Sequence, residues 1–373
     1  MNIQPHILIL QPTTYCNIDC SYCYLGRRDL KLQMSDAVLE AVAAKIVDRL
    51  KYPERTAIVW HGGEPTTAGL SWFRNAYAVL ANARSKGIRF AIQTNGIAID
   101  SAWLDFFSET ETSLGLSIDG PEHFHDARRR TKSGGKTWWL AMRALKLAQS
   151  HGFQPNIISV ISAQSISEPE AYYDFYRSNR IYDISLSIDE AEGANAVSSY
   201  AGKNLRAEMV SFIGQLLEWA WRDDYPLRIK EVERIGSILA GLPSFNEQVV
   251  PWAMMTISAE GYVSTFSPEL MEQKASEFDN FRFGNVVSDE PLEWSHNPAF
   301  RAFHSAVQSG VDECRASCRY FHICGGGAPV NKVSERGSAA ATETSYCRMT
   351  TQAAAEALAK FVLTNRAKVS EYM

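Results

Sequence analysis

Six short apolar runs, each followed by a stretch of helical spacing, constrain this chain more than any other feature. They are His6 to Leu10, Thr56 to Trp60, Ile88 to Gln93, Ser113 to Ile118, Asn156 to Ile161 and Tyr182 to Ile188. The first helix is expected behind an N-cap at Ser35, through Val38, Leu39, Val42, Ile46 and Leu50. Others are expected near Leu70 to Lys86, Ser101 to Phe107, Thr137 to Ser150 and Glu168 to Ser178. Alternating β and α elements imply a parallel sheet with right-handed crossovers. Six units suit a partial (β/α)6 TIM-like barrel, whose site lies at the carboxyl ends of its strands. The segments holding Cys16, Gly62-Gly63-Glu64, Asn95 and Asp119 all fall at such ends.

The seven cysteines form two groups, Cys16, Cys20 and Cys23, then Cys314, Cys318, Cys324 and Cys347. An odd, clustered set argues for metal ligands rather than disulfides. Three thiolates within eight residues can hold one face of an iron–sulfur cube or supply zinc ligands. The four later thiolates can complete a second 4Fe–4S cluster or a zinc site.

Beyond the barrel, Leu205 to Trp221 and Ile229 to Leu239 look helical. Thr256 to Thr265 alternates like a hairpin turning at Glu260-Gly261, and a helix is expected from Thr351 to Leu363. The expected division is a barrel over 1–200, a helical bridge over 201–250 and a cluster domain over 251–373. The net charge of −5 argues against nucleic acid as the main partner. No window approaches the roughly 20 apolar residues of a membrane span, and no signal peptide opens the chain. A cytoplasmic protein is expected.

The spacing Cys16-x3-Cys20-x2-Cys23, with Tyr22 before the last cysteine, resembles the signature of radical S-adenosylmethionine (SAM) enzymes. The resemblance implies a 4Fe–4S cluster held by these three cysteines, with SAM on its open iron. It implies that Gly62, Gly63 and Glu64 meet the amino group of SAM, and that Tyr22 packs near the adenine. Ser117 and Arg129 would contact the ribose and carboxylate, and a guanidinium fork suits a carboxylate. Arg128, Arg129 and Arg130 can also be read as one solvated basic face. Asn95 either faces the cavity or makes the turn.

The later cysteines resemble the C-terminal SPASM domain of peptide-modifying radical SAM enzymes, which usually carries two auxiliary clusters. Phe266 and Ala328 stand where that pattern has cysteines, and no cysteine lies between Trp252 and Glu260. The losses belong to one cluster, so one auxiliary 4Fe–4S cluster is expected. Within this group the chain is most similar to maturases that form three-residue cyclophanes. The matching segments run from Gln11 to Cys16, Ser264 to Leu270, Cys324 to Lys332 and Glu343 to Cys347. The resemblance implies a ribosomal precursor peptide as substrate and a reductase, flavodoxin or ferredoxin as electron donor. No leader-binding domain is expected before residue 6, so a separate protein or this chain itself would recognise the precursor. Glu269, beside the hairpin, is a candidate proton acceptor or a surface carboxylate. Two alternatives are a sulfatase-type maturase, which has Asp where Ser267 stands, and a non-catalytic iron–sulfur electron carrier.

Overall fold

The six apolar runs form neighbouring strands of one sheet in the computed structural model, which describes residues 3–243 and 245–365. The strands are β1 (Ile7–Leu10), β2 (Ala57–Trp60), β3 (Arg89–Thr94), β4 (Ser113–Ser117), β5 (Asn156–Ile161) and β6 (Asp183–Ile188). All adjacent pairs among them are parallel, in sequence order. Parallel strands joined by helices need both faces covered, which is why their sequences read as nearly continuous apolar runs. Leu8, Leu10, Ile58, Trp60, Ile92 and Leu116 are buried in that core.

The helices settle by capping and by packing their apolar stripes on the sheet. Ser35 accepts from the Val38 amide, and Val38, Leu39, Val42 and Ile46 all point inward. Trp60, the last residue of β2, packs edge-on against Phe73 at 5.2 Å. The expected single helix from Leu70 to Lys86 divides into Leu70–Val79 and Asn82–Ser85.

Strand pairing continues past the barrel at both ends. The expected hairpin forms as β8 (Met254–Ile257) and β9 (Tyr262–Thr265), turning through Gly261 at φ +84°. Its first strand pairs in parallel with β1, so the hairpin extends the barrel sheet. β7 (Arg228–Ile229) adds to β6, and β10 (Gly284–Asn285) closes the other edge, giving ten strands in all. The sheet therefore crosses the expected divisions near 200 and 250. Residues 1–2, 244 and 366–373 of the expected domains lie outside the described residues.

A two-stranded ribbon, Ile18–Cys20 against Arg129–Thr131, was not foreseeable from period because each strand has three residues. It sets Cys20 opposite Arg129. Around Phe266 the interior is aromatic: Phe303 lies 5.6 Å away, and Trp252 packs on Phe300 at 4.7 Å. No helix among the described residues is long and apolar enough to cross a membrane.

Candidate active site

The cysteine loop follows β1 and is clasped by its own backbone. The Cys16 amide donates to Arg28 O at 3.0 Å, and the Cys23 amide donates to Cys20 O at 3.1 Å. Arg28 returns to the loop, donating to Leu25 O at 2.8 Å and to Asp19 at 2.8 Å. All three cysteines line one cavity of about 310 Å³ at the carboxyl ends of the barrel strands. Burial pushes the Cys16 thiol up to about 12 and Cys20 up to about 11. Thiols so disfavoured as anions ionise only beside a strong cation such as a metal centre. Among the described residues no three His, Cys, Asp or Glu converge as a single ion would require. Three thiols on the wall of one cavity are nonetheless the donor chemistry that one face of an iron–sulfur cube takes.

The glycines of Gly62-Gly63-Glu64 serve a purpose the sequence reading did not assign. A Cβ on Gly63 would stand 2.5 Å from Tyr15 O and 2.7 Å from Thr13 O, and one on Gly62 would meet Gln11 at 2.8 Å. The close approach they permit is to the chain's own cysteine loop, and the Glu64 amide donates to Tyr15 O at 2.8 Å. The Glu64 side chain is 1% exposed. Its carboxylate accepts from Thr66 N at 3.1 Å, Thr66 Oγ1 at 2.6 Å, Thr94 Oγ1 at 2.5 Å and Asn95 N at 2.7 Å. Glu64 thus ties the loops after β2 and β3 together while lining the cavity.

Tyr22, Asn95, Ser117 and Arg129 line the same cavity. Asn95 does both things open to it: it caps the turn at Ile97 N, 3.0 Å, and reaches Asn17 Oδ1 at 2.8 Å. Ser117 Oγ accepts from Gln93 at 2.9 Å. Arg129 donates to the Tyr22 hydroxyl at 2.6 Å, which donates to Asp119 at 2.8 Å. The arginine trio is not a solvated face. Arg128 turns in toward Asp119 and Asp189, and its guanidinium lies 4.7 Å from the Tyr22 ring centre. Arg129 is buried, and only Arg130 is exposed. Asp119 supplies the buried charge that draws the two inward.

Arg129 Nε, His61 Nδ1 and the Tyr24 hydroxyl are buried without a hydrogen-bond partner among the described residues, and all three residues line the cavity. Unpartnered polar atoms along a partly open cavity fit a ligand that carries polar groups, as SAM does.

Sequence reasoning missed the carboxylates opposite the cysteines. Glu190 and Glu192, just past β6, line the cavity together with Glu269. Burial and the neighbouring Glu192 push the Glu190 carboxyl well up, and burial with Glu269 pushes Glu192 up to about 8. Both carboxyls are thereby shifted toward the protonated form. Asn331 donates to both, at 2.7 Å to Glu192. Glu269 accepts from the Ser267 hydroxyl. The available signal was positional: Glu190 begins where the βα repeat breaks, at a strand's carboxyl end.

Cys314, Cys318, Cys324 and Cys347 line a second cavity of about 340 Å³. Cys314 ends a turn of the helix Pro298–Ser317, and Cys324 precedes Gly325, which closes a short helix at φ +70°. Burial raises both Cys324 and Cys347. A third cavity of about 310 Å³ shares Ile158 and Ser187 with the first, and Cys324 and Cys347 with the second. The third cavity thus adjoins both cysteine-lined cavities.

Comparison with known proteins decides the family. The radical SAM superfamily profile matches residues 10–176. The uncharacterized protein sll1766 of Synechocystis sp. is 32% identical over 359 residues, covering 94% of this chain and 90% of its own length. The chain belongs to the radical SAM superfamily. Membership implies a 4Fe–4S cluster and SAM. A serine-type anaerobic sulfatase-maturating enzyme of Bacteroides thetaiotaomicron is 26% identical over 355 residues, covering 89% of this radical SAM chain and 84% of the enzyme. The solved structure of native anSMEcpe with bound AdoMet and Cp18Cys peptide superposes with a TM-score of 0.79 at 21% identity, over 98% of this chain and 99% of that one. Streptococcus suis SuiB bound to precursor peptide SuiA gives 0.66 at 17% identity, over 92% and 76%. At these identities the two structures establish a shared fold.

Proposed function

We propose that this chain is a maturase of ribosomally made peptides that joins an aromatic ring to a nearby Cβ of the same precursor. The observation that carries the peptide reading is the pair of cysteine-lined cavities adjoining a third between them, in a chain similar over most of its length to a sulfatase-maturating enzyme. In this reading Cys16, Cys20 and Cys23 hold the SAM cluster. Tyr22, Gly62, Gly63, Glu64, Asn95, Ser117 and Arg129 bound the SAM site. Cys314, Cys318, Cys324 and Cys347 hold one auxiliary cluster. When bound, cluster and SAM supply a one-electron cleavage that removes a hydrogen atom from the substrate.

Ring closure then requires the loss of one further electron and one proton. A carboxylate can take the proton when it lies within hydrogen-bond reach of the substrate. Glu269 fits that role with Glu192, whose raised affinity for protons suits a base near neutral pH. The four later cysteines would hold an iron–sulfur centre able to accept that electron. A precursor peptide is the substrate, and a reductase, flavodoxin or ferredoxin is the external donor.

Sulfatase-type maturation, oxidation of Ser or Cys to an aldehyde, is the second reading. The serine-type and cysteine-type sulfatase-maturating relatives favour it. Against it stands Ser267, fully buried and donating to Glu269 where that type has an Asp. A single auxiliary cluster is supported by the aromatic packing of Phe266.

Anaerobic reconstitution tests the assignment. About eight irons per chain are expected, four per cluster, with reductive SAM cleavage to 5′-deoxyadenosine. Replacing Cys16, Cys20 and Cys23 by Ala should remove about half the iron and all cleavage. Cys324→Ala should leave cleavage intact while product formation stops. A zinc-loaded protein that leaves SAM intact would refute the assignment and favour an electron-free scaffold.

A further inference from the structure

Lys332 is 3% exposed, although lysine is almost never fully buried unless paired. Among the described residues no carboxylate lies within ion-pair distance of it. Its ammonium donates to Gly310 O at 3.0 Å and to Cys314 Sγ at 3.5 Å. The sulfur is therefore the one anion available to this buried cation once Cys314 is a thiolate. The chain makes room for the contact. A Cβ on Gly310 would stand 2.9 Å from Nζ and 2.2 Å from Ala339 O, so only glycine leaves the ammonium its place. Gly310 and Cys314 are one turn apart on the helix Pro298–Ser317, so they share the face that receives the lysine. Lys332 lines the cavity of the four later cysteines.

We propose that Lys332 is a positioning residue for the auxiliary centre, its buried charge and N–H donor at Cys314 keeping that centre able to accept an electron. The inference rests on the reading that the four later cysteines hold an iron–sulfur cluster. The reduced form of a cluster carries one more negative charge than the oxidised form. A nearby cation and a hydrogen bond to a ligand sulfur favour that form and raise the potential. Before ring closure, the substrate would have given one hydrogen atom to the SAM-derived fragment. It must still release one electron to an iron–sulfur acceptor and one proton to a carboxylate. Adjacent residues of the helix Pro329–Arg336 touch both acceptors: Asn331 holds Glu190 and Glu192, and Lys332 holds Cys314.

The test is a redox titration followed by electron paramagnetic resonance on anaerobically reconstituted full-length chain. Lys332→Met keeps the length and apolar stem but removes charge and donor. Its auxiliary signal should appear only at lower potential than in the wild type, with the SAM-cluster midpoint unmoved. Lys332→Arg should return the auxiliary midpoint toward the wild-type value. An unchanged auxiliary midpoint in Lys332→Met, with the cluster present, overturns the proposal. If Lys332→Met cannot hold its auxiliary iron, wild-type protein carrying 15Nζ-lysine decides. A nitrogen coupling on the reduced auxiliary signal supports the proposal, and its absence overturns it. Wild-type protein with one signal and about four irons overturns the cluster reading itself, and the role of Lys332 with it.

Discussion

Asn331, on the helix Pro329–Arg336, donates its side-chain amide to Glu192 at the end of the barrel, 2.7 Å away. The same amide donates to Glu190. One nitrogen therefore orders two acidic groups that burial drives toward the protonated form, and it does so from the far end of the sequence. Asn331→Ala should leave both without that donor. The expected cost is about 1–3 kcal/mol, read by denaturant unfolding, with uncoupled SAM cleavage retained.

The pH dependence of product formation follows from Glu192. A proton acceptor works only when ionised, and burial with Glu269 puts Glu192 at about 8. Glu190, Glu269 and Glu335 all bear on it, so the inflection belongs to the group. Product formed per SAM cleaved should rise with pH through about 8. Glu192→Gln should lower it roughly 100-fold and abolish the inflection. An unchanged profile in this variant would return the role to Glu269 alone.

Stability should run the opposite way. A carboxyl raised from 4.5 to about 8 binds its proton more tightly in the folded chain. That contribution is complete below 4.5 and is lost as pH rises through about 8. Wild-type protein should therefore lose more stability than Glu192→Gln over this range. Thermal unfolding of the two proteins at matched pH values gives the comparison.

Gly63→Ala tests whether the loop after β2 supports the cysteines. Its Cβ would collide with backbone oxygens of Thr13 and Tyr15, which cannot swing aside as a side chain can. The position is also left-handed, at φ +57°. The variant should lose its N-terminal cluster and keep the later one. Gly87→Ala, with φ +73° and open space around it, should cost about 1–3 kcal/mol of backbone strain and keep its iron.

The barrel was legible because its signals are local. Apolar runs such as Ile157, Val160 and Ile161 in β5 and the cap at Ser35 are written within a few residues. The two cysteine groups stand out by their spacing, and the members of each share a cavity. Long-range relations were not. The parallel pairing of Met254–Ile257 with β1 joins segments over 200 residues apart, and no periodicity records it. Arg128 reads as a surface residue until Asp119 and Asp189 are seen beside it. Glu190 and Glu192 could not be singled out, because the amide that meets both, Asn331, lies far along the chain.

The most direct test of the proposed reaction is tandem mass spectrometry of a precursor peptide encoded beside the gene, after modification by the reconstituted enzyme. Each crosslink should remove the mass of two hydrogens and suppress backbone fragments between an aromatic residue and the partner two positions away. Side chains at i and i+2 share one face of an extended strand, so the ring closes with little adjustment. A product that loses the same mass, keeps every fragment between Ser or Cys and the nearest aromatic residue, and reacts with an aldehyde probe would contradict the crosslinking account.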